Sequence, residues 1–86
     1  MDATMKTIRI TLYSTRNCPY CRQARQYLQS KGVRFQEFDV QKNIRAQKTL
    51  AGLGARAVPV IMIGEARVDG FDRKRLDGLL KRVLVV

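Results

Sequence analysis

The sequence predicts a single α/β domain with the element order β-α-β-α-β-β-α, in which a central four-stranded mixed sheet carries helices on both faces. A length of 86 residues suits one domain, residues 1–86, with one hydrophobic core. Strand-like and helix-like apolar spacing alternate along the first half of the chain, which is typical of parallel βαβ units. Two short apolar segments around Gly64-Glu65 then predict a hairpin before a last helix.

The first predicted unit is a strand, a polar loop and a helix. Apolar and polar residues alternate along Thr7–Tyr13, the period of a strand. A helix is expected to begin at Cys18 or Pro19, because the fixed φ of proline suits the first helical position, and to end at Gly32. The residues at helical spacing on its inner face are Cys21, Ala24, Arg25 and Leu28.

A second strand is predicted over Val33–Val40, with Phe35 and Phe38 on opposite faces. The right-handed rule for such crossovers makes it parallel to the first strand. A short helix follows over Ile44–Leu53. The residues predicted along one side of that helix are Ile44, Gln47, Leu50 and Ala51.

The apolar pattern of the C-terminal part of the sequence predicts a hairpin followed by a helix. Val58–Ile63 is almost continuously apolar, as expected of a strand covered on both faces, and Ala66–Val68 returns beside it. Asp72 is a suitable N-cap for the last helix, and Phe71 before it can pack on Leu76. The buried stripe of this helix is predicted to contain Leu76, Leu79, Leu80 and Val83.

Composition and charge narrow the class of protein. Apolar residues make up 45% and charged residues 28% of the chain, which is ordinary for a soluble globular protein. The absence of histidine excludes Ser-His-Asp triads and histidine metal ligands. Residues 1–6 lack the pattern of a secretory signal, and no apolar run approaches the roughly 20 residues that span a bilayer, so we expect a cytoplasmic protein with no membrane contact. The net charge of +10 points to anionic partners.

Both cysteines lie in one tetrapeptide, Cys18-Pro19-Tyr20-Cys21. A disulfide between them would close almost no loop and would stabilise the fold little. A structural zinc site needs about four ligands. The two thiols supply only two of them, and the sequence has no histidine to supply the others. The spacing therefore favours a redox-active dithiol in a reducing compartment, with an intersubunit metal or cluster site and a chance pair of inert thiols as the alternatives.

The predicted position of Cys18, where a strand ends and a helix starts, favours its thiolate form. The first-turn N–H groups have no partner inside the helix, and that end carries about half a positive charge. Arg16 and Arg22 flank the site and act in the same direction, although Arg22 also suits a solvated helix face. Cys21 is expected to lie nearer the core. We therefore predict thiol–disulfide exchange with Cys18 as the attacking thiol and Cys21 as the resolving thiol.

Pro59 stands at the start of an apolar strand, where its missing N–H is tolerated. A trans proline explains this position, since only about 5% of X–Pro bonds are cis. A cis bond would instead turn the Val58 backbone outward, where a substrate peptide beside Cys18 could pair with it. By itself the position favours trans.

Three motifs in order resemble the glutaredoxin family of the thioredoxin fold: the Cys18–Cys21 tetrapeptide, Val58-Pro59, and Gly70-Phe71-Asp72 before the last helix. The similarity covers residues 6–83, the expected core of the domain. It implies a thioredoxin-like fold of the glutaredoxin type, a cis Pro59, and a groove in which the glutathione α-carboxylate meets the N-terminus of the last helix. The substrate- or glutathione-binding residues expected from it are Arg16, Tyr20, Val58, Pro59, Gly70, Phe71 and Asp72.

The sequence departs from this family at three positions. Thr15 replaces a common lysine, for which Arg16 is the expected substitute, Ala57 replaces a threonine, and Asp69 replaces the first glycine of a Gly-Gly pair. Gly70-Phe71 also resembles small redoxins that are recharged by thioredoxin reductase and donate electrons to ribonucleotide reductase. That branch usually has arginine where this chain has Asp72. Glutathione and thioredoxin reductase therefore both stay open as reductants.

The function implied by the resemblance is a dithiol oxidoreductase that reduces protein disulfides or protein–glutathione mixed disulfides. It implies glutathione as co-substrate, with no tightly bound cofactor and no metal. The expected partners are glutathione and disulfide-containing or glutathionylated proteins, with thioredoxin reductase as the alternative reductant, and we expect a monomer. An iron–sulfur carrier would instead hold a [2Fe–2S] cluster between Cys18 of two subunits and two glutathione thiols.

The positive charge suggests a further role beside the dithiol. No helix-turn-helix, RNP-type aromatic pair or zinc finger is present, so we expect no specific nucleic-acid partner. Arg73, Lys74 and Arg75 fall in the first turn of the last helix, where cations oppose the helix dipole. We hypothesise that they form a positive rim with Arg16 and Arg22 that attracts anionic glutathione or acidic partner proteins, the alternative being a solvated basic face.

Overall fold

The computed structural model describes residues 9–84 and confirms the predicted order of elements. The strands are β1 (Ile10–Ser14), β2 (Gln36–Asp39), β3 (Val60–Ile63) and β4 (Ala66–Asp69), and the helices are α1 (Pro19–Ser30), α2 (Ile44–Gly52) and α3 (Arg73–Leu84). The strands form one sheet in the order β2-β1-β3-β4. β1 is parallel to β2 and antiparallel to β3, and β3 pairs antiparallel with β4. The predicted mixed sheet and its C-terminal hairpin are therefore confirmed.

Two clusters of buried side chains hold the helices against opposite faces of the sheet. The larger cluster joins the strands to α1 and α3; its helical members are Ala24, Tyr27, Leu28, Leu76 and Leu80. The smaller cluster joins Tyr13 and Val60 to Ala46 and Leu50 of α2. Phe35 packs against the larger cluster and Phe38 against the smaller one, so their predicted opposite orientation is confirmed.

β2 and β3 are shorter than the sequence patterns suggested, whereas β1 and β4 each run one residue further, to Ser14 and Asp69. β1 covers Ile10–Ser14, and Thr7 and Ile8 of the predicted strand lie outside the described residues. All five residues of β1 are buried, because helices cover both faces of this central strand. Successive side chains of β1 therefore point into two different apolar layers, and none of them points to solvent. β2 covers only Gln36–Asp39. β3 begins at Val60, after Pro59, which has no N–H to donate to a sheet ladder.

Of the four residues predicted along one side of α2, only Leu50 is buried. Ala46 and Leu50, four residues apart, face the sheet, whereas the side chain of Ile44 is 67% exposed. Ile44 precedes Ala46 by two residues, which places it about 200° away around the helix. Gln47 and Ala51 are exposed as well. The N-cap of this helix is Asn43, whose side chain accepts a 3.0 Å hydrogen bond from the Ala46 N–H.

The last helix starts and packs largely as predicted. The Asp72 carboxylate accepts a 3.1 Å hydrogen bond from the Arg75 N–H, which confirms Asp72 as the N-cap. Leu76 and Leu80 are buried and Leu79 is half-buried. The side chain of Val83 lies outside what the structure describes. Phe71 packs against the same cluster that contains Leu76, as expected for a residue just before the helix.

An ion pair ties α1 to the edge strand β2. The Arg25 guanidinium donates two hydrogen bonds to the Glu37 carboxylate, at 2.6 and 2.5 Å. The Ser14 hydroxyl, at the end of β1, donates a third at 2.7 Å. The pKa of Glu37 is lowered, chiefly because its charged form accepts the hydrogen bonds of Arg25. This network therefore links three elements through one carboxylate.

Glu37→Gln is expected to lower the free energy of unfolding at pH 7 by about 1 kcal/mol, a value reduced by the partial exposure of both side chains. Since the folded-state pKa of Glu37 lies below its ordinary value of 4.5, the stabilisation is complete above that value and is lost as the pH falls through the folded-state pKa. Urea unfolding at pH 7 and pH 3 measures this: the gap between wild type and variant should shrink at pH 3. Glu65→Gln, in the exposed β3–β4 turn, is the charge control. A gap that is equal at both pH values would contradict this expectation.

Candidate functional site

Three loops meet at one end of the sheet because of the strand directions. Tyr13, near the end of β1, pairs with Val60, at the start of β3. Val60 in turn pairs with Asp69, at the end of β4. The loop after β1, the loop before β3 and the loop after β4 therefore emerge side by side. These loops carry the three motifs that the sequence singled out.

Cys18 lies at the N-terminus of α1 with its sulfur at the helix end. It is the N-cap residue, with extended backbone angles of φ −121° and ψ 108°. Its Sγ accepts a 3.1 Å hydrogen bond from the Cys21 N–H, as a capping side chain does. The side chain is half-buried, and its Sγ lies 3.9 Å from the Val58 carbonyl oxygen. This sulfur is therefore partly open to solvent and accepts a first-turn N–H of α1.

Cys21 lies one turn further along α1 and is completely buried. Burial is the largest cause that raises the pKa of its thiol to about 12, followed by its hydrogen bond with the Cys18 side chain. The Thr15 backbone and the positive charge of Arg25 act in the opposite direction. Cys21 is therefore a thiol at neutral pH. It is completely buried while Cys18 is half-buried, in agreement with the expectation that Cys21 lies nearer the core.

The loop before β3 places Val58 and Pro59 beside the cysteines. The Val58–Pro59 peptide bond is cis, which confirms the form that the resemblance implied; the proline position by itself had favoured trans. Pro59 is buried, and its carbonyl accepts a 2.8 Å hydrogen bond from the Gly70 N–H. This bond joins the second motif to the third. The Val58 carbonyl faces the Cys18 sulfur, so the first two motifs are in contact as well.

The remaining motif residues surround this centre with different exposures. Tyr20 is 62% exposed and presents an aromatic ring next to Cys21 in the chain. Gly70 has a φ of +77°, a conformation that glycine adopts without strain. Phe71 is half-buried and packs edge-to-face on Tyr27, with 5.8 Å between ring centroids. Asp72 is exposed and uses its carboxylate to cap α3.

Arg16 lies on the other side of Cys18 from Gly70 and Asp72. The loop after β1 has the edge strand β2 on one side and β3 and β4 on the other, so a groove beside β2 is separated from the α3 end. This groove has a volume of about 420 Å³. It is lined by Ser14, Thr15, Arg16, Arg25, Glu37 and Asp39. The structure therefore brings Arg16 close to the cysteine loop but not to the third motif.

The basic residues at the start of α3 have contacts within the chain. The Arg73 guanidinium lies over the Tyr27 ring, 6.0 Å from its centroid. Arg75 donates a 3.2 Å hydrogen bond to the Arg67 carbonyl oxygen. The first turn of α3 contains no acidic residue. The Arg73 guanidinium thus lies near Phe71, which packs on the same tyrosine, and its charge interacts with that of Asp77.

Sequence reasoning missed the role of Arg25 and its partner Glu37. The sequence did contain an indication of this role, because Arg25 lies on the predicted inner face of α1 among apolar residues. A cation is unusual in such a place. Its partner could not be found from the sequence, since Glu37 lies twelve residues away on a strand whose register was unknown. Among residues 9–84, no three side chains of the metal-binding types converge on one point. None of the helices within this range is both long and apolar enough to cross a membrane.

Comparison with known proteins agrees with the motifs. The sequence model of the glutaredoxin family matches residues 10–68. The chain is 45% identical over 65 residues to a glutaredoxin of Pseudomonas aeruginosa, covering 73% of this chain and 76% of that protein. It is 35% identical over 80 residues to glutaredoxin 3 of Escherichia coli, covering 84% of this chain and 96% of the relative.

A solved structure shows the same fold. The glutaredoxin-like protein NrdH-redoxin from Escherichia coli superposes with a TM-score of 0.76 at 27% identity, covering 83% of this chain and 93% of that one. That protein is described as having a thioredoxin-like activity profile. The fold is therefore thioredoxin-like, of the kind found in glutaredoxins and their small relatives.

Proposed function

This chain belongs to the glutaredoxin family of thiol–disulfide oxidoreductases, and from that premise we propose that it reduces disulfides through the dithiol Cys18–Cys21, with glutathione as its reductant. The observation that carries the proposal is the inequality of the two thiols. The Cys18 sulfur is accessible and accepts the Cys21 N–H at 3.1 Å, whereas Cys21 is completely buried. A substrate disulfide can therefore meet Cys18 but not Cys21.

The reaction follows from this geometry in two exchanges. The Cys18 thiolate attacks one sulfur of the substrate disulfide, a Cys18–substrate disulfide forms, and the other substrate sulfur leaves as a thiolate that takes up a proton. Cys21 then attacks the Cys18 sulfur, which closes the Cys18–Cys21 disulfide and releases the second substrate thiol. Two electrons pass from the dithiol to the substrate. For a protein–glutathione mixed disulfide, glutathione itself replaces Cys21 in the second exchange.

The residues around Cys18 support glutathione as the small thiol. The Val58 carbonyl lies 3.9 Å from the Cys18 sulfur, so an extended peptide bound here would lie along the backbone of Val58 and Pro59. Tyr20 offers an exposed ring on one side. At the other side, Gly70, Phe71 and Asp72 lead into the N-terminus of α3, where backbone N–H groups favour a carboxylate.

The positive charges at both ends of this surface suit the two carboxylates of glutathione. Arg73 is held over Tyr27 near Phe71, and Arg16 lies in the groove beside β2. Arg16 lies on the β2 side of the cysteine loop and Arg73 near Phe71 on the β4 side, so each is a candidate partner for one carboxylate of a tripeptide whose cysteine meets the Cys18 sulfur. The acidic Asp69 near this surface is paired with Arg67, whose Nε donates to it at 2.7 Å. Because of that pair, Asp69 repels a bound carboxylate less than a free carboxylate would.

Thioredoxin reductase is the second candidate reductant. The observation that favours it is the half-buried Phe71 after Gly70, together with the likeness to an NrdH-redoxin with a thioredoxin-like activity profile. Both reductants would act on the same Cys18–Cys21 disulfide. With glutathione, a small tripeptide must fit between the loops around this disulfide. With thioredoxin reductase, a protein surface must fit against the same loops.

We expect turnover of a glutathione mixed disulfide when glutathione, glutathione reductase and NADPH are supplied, because the surface around Cys18 carries the features that a tripeptide thiol needs. The measurement is NADPH consumption, run in parallel with thioredoxin reductase in place of the glutathione system. Cys18→Ser provides the blank for both arms. Reduction by thioredoxin reductase without turnover by glutathione would assign the protein to the second candidate, and failure of both arms would contradict the proposed activity.

A further inference from the structure

Arg25 occupies an unusual place on the inner face of α1. It follows Cys21 by four residues, so the two side chains lie next to each other along one side of the helix. Cys21, Ala24 and Leu28 on this side are buried, while the Arg25 side chain is 35% exposed. A cation that is partly withdrawn from water beside a buried thiol acts on it more strongly than a fully solvated one does.

The Arg25 guanidinium is held in a fixed orientation. Its Nε and Nη2 atoms donate to the two oxygens of Glu37 at 2.6 and 2.5 Å, a forked arrangement that allows little rotation. The Glu37 carboxylate is itself fixed by the hydroxyl of Ser14, which is 2% exposed. Ser14 is followed directly by Thr15, whose backbone contacts Cys21. The hydrogen-bonded network therefore joins α1 to β1 and β2, and Arg25 lies next to Cys21 along the helix.

We propose that Arg25, oriented by Glu37, is a positioning residue of the resolving step, in which its charge favours the attack of Cys21 on the mixed disulfide at Cys18. This inference rests on the proposed dithiol function and adds to it a residue that acts through Cys21. In the step, the Cys21 sulfur loses its proton, bonds to the Cys18 sulfur and breaks the Cys18–substrate bond. The substrate thiolate leaves with the electron pair of that bond and takes up a proton.

The charge of Arg25 has its largest expected effect on Cys21 in the mixed-disulfide intermediate, because the Cys18 sulfur is then bonded to the substrate. In the reduced protein, Cys18 raises the pKa of Cys21 through a hydrogen bond and through charge. Once Cys18 is part of a mixed disulfide, its sulfur carries neither a proton nor a negative charge. The burial that raises the pKa of Cys21 and the charge of Arg25 that lowers it do not come from Cys18, so we expect both to act in the intermediate as well. The positive charge of Arg25 is therefore already in place to favour the thiolate that must form at Cys21, and the pairing of Arg25 with Glu37 limits the size of this effect.

The expected size of the effect follows from two opposing changes. A rise of about one in the pKa of Cys21 leaves about a tenth of the thiolate at neutral pH. The remaining thiolate is about threefold more nucleophilic, because the Brønsted coefficient for thiolates is about 0.4–0.5. The net rate of the resolving step should thus fall about threefold for each such rise. The first exchange, which uses Cys18, should not change.

The two exchanges can be timed separately in the full chain with an equimolar aromatic disulfide, 5,5′-dithiobis(2-nitrobenzoate). Attack by Cys18 releases one coloured thiolate in a second-order phase, and closure by Cys21 releases the other in a phase that does not depend on concentration. Cys21→Ser retains only the first release and so assigns the phases. The variants to compare are Arg25→Gln, Arg25→Lys and, as a charge control on the opposite face of the sheet, Arg45→Gln. Each is measured between pH 6 and pH 9.

We expect Arg25→Gln to slow the second phase about threefold while the first phase stays at the wild-type rate. Circular dichroism shows whether the variant is folded. Arg25→Lys should recover most of the loss because it restores the charge, and Arg45→Gln should match wild type. A wild-type second phase in Arg25→Gln, or equal slowing of both phases, would overturn the inference while leaving the dithiol function in place. A wild-type protein that releases only one coloured thiolate would overturn the dithiol function itself, and the inference with it.

Discussion

Cys18→Ser is expected to abolish disulfide reduction, with a loss of at least about a thousandfold in the rate of mixed-disulfide turnover. The serine hydroxyl is not ionised at neutral pH and cannot form the mixed disulfide on which both exchanges depend. Serine can still cap α1 by accepting the Cys21 N–H, as the Cys18 sulfur does at 3.1 Å, so the fold should be retained. Activity is measured by NADPH consumption in the glutathione-coupled assay, and folding by circular dichroism.

Cys21→Ser is the matched variant, since it also exchanges one sulfur for oxygen at the same site. It should lose the ability to reduce protein disulfides by closing a Cys18–Cys21 bond. It should keep turnover of a glutathione mixed disulfide, because there the incoming glutathione releases Cys18. A Cys18→Ser protein that still reduces either substrate, or a Cys21→Ser protein that reduces protein disulfides at the wild-type rate, would refute the assigned roles.

Leu28→Ala is expected to destabilise the protein by about 3 kcal/mol, within the range of 2–5 kcal/mol for such truncations. Leu28 is completely buried in the cluster that joins α1 and α3 to the sheet, so its truncation leaves a cavity under the helix that carries both cysteines. For a domain of this size the melting temperature should fall by roughly 12–24 °C. Urea unfolding and thermal melts followed by circular dichroism measure both quantities.

Ile44→Ala is the control for this change, because it removes a side chain of the same size from a position that is 67% exposed. It should alter the free energy of unfolding by no more than about 0.5 kcal/mol. If Ile44→Ala cost as much as Leu28→Ala, the assignment of the two core layers would be wrong. If Leu28→Ala cost less than about 1 kcal/mol, the packing of α1 would be looser than its burial indicates.

The alternation of apolar residues was sufficient for the order of elements but not for their ends. Helices α1 and α3 were located correctly, because proline and aspartate at their starts act through local backbone geometry. The ends of the strands depend on which neighbour supplies a hydrogen bond, and β2 covers only Gln36–Asp39, the residues that pair with β1. The orientation of Ile44 in α2 likewise depended on where the sheet lay, which is a long-range property.

The two cysteines, their spacing and their place at the start of α1 were determined by the sequence alone, because they depend on residues within one turn of each other. The +10 charge was also a property of the sequence, but its placement beside Phe71 and in the groove beside β2 was not. The helical spacing also placed Cys21 on the inner face of α1. Only the tertiary structure decided that the Val58 carbonyl faces Cys18 and that Glu37 holds Arg25 beside the dithiol. Those contacts join residues 12 to 40 positions apart, and they arise from strand pairing and from the packing of α1 on the sheet, neither of which a local pattern encodes.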